Sequence, residues 1–182
     1  MTASTRPRSQ ALPGLFVGRG YRESMSTSSA TVSMVSKTPI DWTWLVLTPI
    51  DPSRFYPKHG VIPATVAVRD QSGPWDTVGQ TRTLVLGDGG SVVETITDVE
   101  KPDFFAYELT DFTRLFKMLV HHARAEWRYT AVEDGTRVDW TYAFTAKGGW
   151  GWAVALIVRL AWEPYMRDVL PEIVHEAERL AP

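Results

Sequence analysis

The sequence predicts an α+β domain: one antiparallel sheet of seven strands, two short helices after the first strand, and a long C-terminal helix. Three observations predict it. Between residues 64 and 145 apolar side chains recur with a period of two, in runs separated by turn residues. After Gly148-Gly149 the period lengthens to about 3.6, the repeat of a helix. Between them and a first short strand lie two segments bounded by prolines.

Residues 1–29 are rich in Ser, Thr, Arg, Gly and Pro without a sustained apolar period, and are expected to form a flexible arm ahead of a single domain over 30–182. Met25 opens Met25-Ser-Thr-Ser-Ser-Ala and would make a natural start. Val32 and Val35 mark a strand over Ala30 to Ser36. Thr38-Pro39 offers an N-cap with proline at the first helical position, and Trp42, Leu45 and Val46 follow at helical spacing until Pro49. The stretch from Asp51 to Pro57 reads as a second short helix. Six more strands are expected at Thr65 to Arg69, Thr77 to Leu86, Ser91 to Val99, Phe104 to Leu109, Ala123 to Val132 and Arg137 to Thr145. Ser72-Gly73-Pro74, Asp88-Gly89-Gly90, Lys101-Pro102-Asp103 and Asp134-Gly135 supply turns between them.

With Asp134-Gly135 as a two-residue turn, partners in the last hairpin sum to 269. Trp127 then faces Tyr142, Tyr129 faces Trp140, Ala125 faces Phe144 and Ala131 faces Val138, while Arg124, Glu126, Arg128, Asp139 and Thr141 occupy the other face. In the C-terminal segment Val154, Val158, Trp162, Tyr165, Val169, Ile173 and Leu180 form one apolar stripe. Pro164 and Pro171 interrupt it, and each removes a backbone donor, so a bend or short break is expected at both.

Composition narrows the chemistry. Nineteen Lys plus Arg against 21 Asp plus Glu gives a net charge of −2, unlike the basic total of a dedicated nucleic-acid binder. The absence of cysteine excludes disulfides, thiolate metal sites and cysteine nucleophiles. The longest uncharged apolar run, Gly148 to Val158, is too short to cross a bilayer, which needs about 20 helical residues. Pro13 and Gly14 interrupt the only stretch resembling a signal peptide. A cytoplasmic protein without stable membrane insertion is expected.

The order of elements, together with Pro39-Ile-Asp-Trp-Thr-Trp44, Gly79-Gln-Thr-Arg-Thr-Leu84, Glu94-Thr-Ile96 and Gly135-Thr-Arg-Val-Asp-Trp-Thr-Tyr-Ala-Phe144, resembles the helix-grip fold of the START-like superfamily, in its polyketide cyclase/dehydrase branch. The resemblance covers roughly residues 30 to 180, and its motifs carry no catalytic signature. It implies a sheet curved around the long helix, enclosing an apolar cavity for a polyketide, lipid, quinone or similar ligand. It also implies a family holding both aromatase/cyclases and carriers without chemistry.

Several residues could serve such a site. The face carrying Trp127, Tyr129, Trp140 and Tyr142 is either plain core or a pocket wall, and its hydroxyl and indole groups need partners when buried. Tyr107, Trp162 and Tyr165 join it as candidate walls. Arg82 and Glu94 lie on consecutive strands; a two-residue loop puts them on opposite faces, a three-residue loop on one face as diagonal neighbours. They are either a solvated surface pair or a charged pair orienting a ligand's polar group.

His121-His122 would point to opposite faces of a regular strand and so could not chelate one metal together. No HExxH, GxSxG or phosphate-binding loop occurs. No metal and no cofactor are expected. Trp150 and Trp152 read as the buried start of the last helix; if exposed, they would suit a membrane or a partner protein. The reading is therefore a binder of a hydrophobic small molecule. A cofactor-free cyclase using cavity acid and base groups is the first alternative, and a regulatory interaction module the second.

Overall fold

A computed structural model describes residues 25–182. The expected arm lies outside the described residues as far as residue 24. Order begins earlier than the valines suggested, because β1 (Thr27–Ser36) pairs along its whole length with β7 (Gly135–Ala146), Thr27 opposite Thr145. Their hydroxyl oxygens are 3.0 Å apart. Two short helices follow, α1 (Ile40–Leu47) and α2 (Pro52–Phe55). Thr38 does not cap α1: its hydroxyl is taken by Ser36 and Thr43, and Pro39 itself holds the N-cap position. Asp51 caps α2 by accepting from the Ser53 N–H.

The remaining strands are β2 (Thr65–Arg69), β3 (Thr81–Leu86), β4 (Ser91–Glu100), β5 (Phe104–Thr110) and β6 (Val120–Val132). All seven form one antiparallel sheet in the order β1-β7-β6-β5-β4-β3-β2. Helix α3 (Arg114–Leu119), between β5 and β6, was not anticipated. Six residues are too few for the helical repeat to show in a sequence.

The last hairpin keeps the expected faces but not the expected register. Trp127 pairs with Trp140, Ala125 with Tyr142, Tyr129 with Val138 and Val132 with Gly135, so the turn is Glu133-Asp134. The shift is two residues, which leaves every side chain on the face assigned to it. Its cause is the use of Gly135. That residue opens β7 at φ +139, and a Cβ there would stand 2.0 Å from the Ser36 carbonyl oxygen. The glycine admits the close approach of the Ser36 and Lys37 backbone at the end of β1, and the turn falls one step earlier.

The C-terminal segment is α4 (Gly151–Ile157), a π-helical turn (Val158–Trp162) and α5 (Glu163–Arg179). The break expected at Pro164 takes the form of that π turn, in which the Glu163 N–H reaches back to the Val158 carbonyl and Pro164 enters the first turn of α5. Pro171 does not break α5. It costs one backbone bond, while Val169, Leu170, Ile173 and Val174 beside it are buried against the sheet. Leu180 falls outside the stripe and is exposed.

Trp150 and Trp152 are not a buried helix start. Val154 and Val158 take the inward positions, so Trp152, Leu156 and Leu160 point outward. The core lies between the sheet's inner face and α5, with the Trp127 and Trp140 rings stacked 4.7 Å apart at its centre.

Candidate ligand cavity

Alternation along the strands builds the site in two layers. At one end of the sheet's inner face, Leu84 of β3, Val92 of β4, Leu109 of β5, and Tyr142 and Phe144 of β7 line an apolar cavity. Trp162 and Tyr165 close it from the C-terminal helices, Tyr56 and Ile62 from the segment after α2, and Phe112 and Phe116 from the region of α3. The unfilled space is about 520 Å³, counting the part that communicates with solvent. The cavity volume within it is about 50 Å³, against the 10–15 Å³ or so that one water needs. A second small apolar void, under α3 and α4, shares Phe116, Phe144 and Trp162 with the first.

One inward-facing position further along β3 and β4 lie Arg82 and Glu94. They are direct partners in the ladder, because Leu86 pairs across the turn with Gly90 and leaves Gly87-Asp88-Gly89 as the loop. The loop has the three residues that were expected to put the pair on one face, but it opens one residue before Asp88-Gly89-Gly90, so the two are direct partners instead of diagonal neighbours. The pair is not on the surface: Arg82 is 3% exposed and Glu94 0%. The Arg82 Nε donates to Glu94 Oε2 at 2.6 Å and its Nη1 donates to the Ile50 carbonyl at 3.1 Å.

Above the guanidinium, at 4.0 Å, lies the ring of Trp75, a fully buried residue held at φ +66. A bulky side chain rarely adopts that conformation, and here it seals the ion pair from one side. Glu94 Oε1 has no hydrogen-bond partner among the described residues. Burial raises the Glu94 carboxyl above its ordinary value, with Arg82 opposing the shift. Tyr56, Tyr107 and Tyr142 are each pushed well above the usual phenol range, first by burial and further by the Glu94 charge.

Of the residues expected as walls, Tyr142, Trp162 and Tyr165 line the cavity. Arg82, Glu94 and Tyr107 form the polar layer beside it, and Trp127, Tyr129 and Trp140 are core behind it. Sequence reasoning missed Tyr56, Phe112 and Phe116, which belong to segments without a long period. Leu84 and Val92 were accessible to it, since they share a face with Arg82 and Glu94. The two histidines also differ from expectation. A bulge between Val120 and His122 breaks the alternation of β6 and brings the His121 and His122 Nδ1 atoms to 3.0 Å. No group of three metal-ligating side chains occurs among the described residues.

This architecture is that of the START-like superfamily. Residues 27–178 match the model of the family described as polyketide cyclase / dehydrase and lipid transport, and the chain belongs to that family. Solved structures share the fold at low identity. Protein MLL2253 from Mesorhizobium loti is 11% identical with a TM-score of 0.61, over 85% of this chain and 100% of that one. A Thalictrum norcoclaurine synthase point mutant in complex with a transition-state analogue is 12% identical with a TM-score of 0.58, over 85% and 98%. Ara h 8.0201 is 11% identical with a TM-score of 0.54, over 82% and 99%. Comparison with curated protein sequences finds no match.

Proposed function

We propose that this protein binds a hydrophobic small molecule that carries one hydrogen-bond donor at its inner end. The observation that carries the reading is the apolar cavity lying beside a buried carboxylate with one oxygen free. An apolar body in the cavity is stabilised by about 25 cal/mol per Å² of area removed from water. A ligand hydroxyl or N–H reaching Glu94 Oε1 would satisfy an acceptor whose isolation is costly. The Arg82 partner balances the charge of Glu94, so the inner end favours a neutral donor over a free cation or anion. Family membership, whose description covers both cyclases and lipid transport, supports the ligand class in general terms.

A second reading, proton transfer during cyclisation of a bound chain, draws on the same Glu94. A carboxyl raised by burial, with Tyr56, Tyr107 and Tyr142 nearby, is the kind of group that can take up and release a proton. Native mass spectrometry of the purified protein, followed by extraction, separates these readings. One apolar, donor-bearing molecule per chain, released unchanged, is the expected result. A released molecule converted to a cyclised product on incubation supports the second reading. Protein that carries nothing, and that also fails to take up a neutral apolar dye at a single site, contradicts both.

A further inference from the structure

The outer face of α4 and the π turn is apolar where a water-facing helix should be polar. Trp152, Leu156 and Leu160 recur every four residues, and α3 adds Leu115 and Met118; all five are between 51 and 70% exposed. With Val154 and Val158 buried on the opposite side, α4 is apolar all round, a pattern suited to a core or to lipid rather than to water. The two helices adjoin: they share the void that meets the ligand cavity at Phe116, Phe144 and Trp162, and the Lys147 ammonium donates to the Lys117 carbonyl at 2.6 Å.

The charge around this patch has one sign. No Asp or Glu occurs from residue 112 to 125 or from 140 to 162, although the whole chain has a net charge of −2. Lys117, Lys147 and Arg159 form no ion pair among the described residues. A second copy docking by the same face would bring these cations against their own kind. Residues 1–24, with four Arg against one Glu, carry the same sign. An anionic bilayer surface matches both features, with Trp and Leu entering the headgroup boundary and the basic side chains meeting acidic lipid.

We infer that the α3–α4 end is a membrane-docking surface that sets anionic lipid beside the end of the fold where Phe116, Phe144 and Trp162 line the cavity. The inference goes beyond ligand binding and does not need the cavity to be occupied. Flotation of the full chain with vesicles tests it, using phosphatidylcholine alone and phosphatidylcholine mixed with phosphatidylglycerol. Binding to the mixed vesicles is expected, and it should weaken as salt rises from about 0.1 M to about 1 M and the screening length falls from about 10 Å to about 3 Å.

Trp152→Ser with Leu160→Ser should lower the partition roughly tenfold or more. Lys117→Gln and Arg159→Gln should each lower it about fivefold. All four side chains are exposed, so unchanged near-ultraviolet dichroism is expected to show the fold intact. No binding to mixed vesicles, or binding equal in the Trp152→Ser/Leu160→Ser variant, overturns the inference. So does a dimer in sedimentation that the same double substitution abolishes, since the patch would then be covered by a second copy.

Discussion

At the scale of single residues, the Arg82–Glu94 pair carries the most consequence. A buried ion pair adds little to stability over an apolar pair of similar size, whereas removing one partner strands the other charge. Arg82→Met should therefore cost about 3–5 kcal/mol at neutral pH, and Arg82→Met with Glu94→Met should recover most of it. The pH dependence has a definite sign. Burial holds the folded Glu94 value above the unfolded one, so its contribution is full at acid pH and is lost as pH rises through the folded value. Removing Arg82 removes the opposing effect, so the deficit of Arg82→Met in urea unfolding should shrink from about pH 7 to about pH 5. A deficit that stays constant would contradict the account.

The tyrosines make a second test at this scale. Tyr56, Tyr107, Tyr129, Tyr142 and Tyr165 are all raised above the usual value, with burial the first cause of each. Their contribution to stability is present below the unfolded value, near pH 10, and is lost as pH rises beyond it. In an absorbance titration these five should not ionise near pH 10 but together, in the step where the dichroism is lost. Gradual ionisation with the fold intact would show that they are not sealed.

At the scale of elements, the sheet was legible because two-residue alternation survives over long strands, and all seven strands fall within a few residues of their expected places. What was not legible is what tertiary contact decides. The Glu133-Asp134 turn depends on Gly135 lying against the Ser36 backbone at the end of β1, a contact between residues 99 apart that no local pattern records. The His121 bulge and the short helix α3 escaped because each is a local irregularity too short to show a repeat. Gly135→Ala tests the explanation of the register: a Cβ pressed on the Ser36 backbone at positive φ should cost about 1–3 kcal/mol in thermal or urea unfolding. An unchanged midpoint would mean that the glycine does not set the turn.

At the scale of the whole molecule, the sheet and the last helix form one core except at one end, where the side chains leave a gap. Resemblance implied a cavity and aromatic content suggested candidates for its walls, but the sequence could not separate wall from core. Trp127 and Trp140 stack face to face and fill their layer, while Tyr142 and Trp162 stand at its edge and meet the unfilled space. The difference is a matter of which inward layer a residue occupies, and only the assembled sheet defines the layers. The same geometry puts Glu94 one layer in from the apolar lining.

Equilibrium titration with the neutral dye N-phenyl-1-naphthylamine, on the wild type and on Val92→Phe, bears most directly on the claim that this cavity holds an apolar ligand. Val92 lines the gap, and phenylalanine there takes up part of its volume. The account predicts one saturable site per chain in the wild type and its loss, or a fall in affinity of at least roughly tenfold, in a folded Val92→Phe protein. Equal affinity in the two proteins would place the apolar site elsewhere and contradict the account.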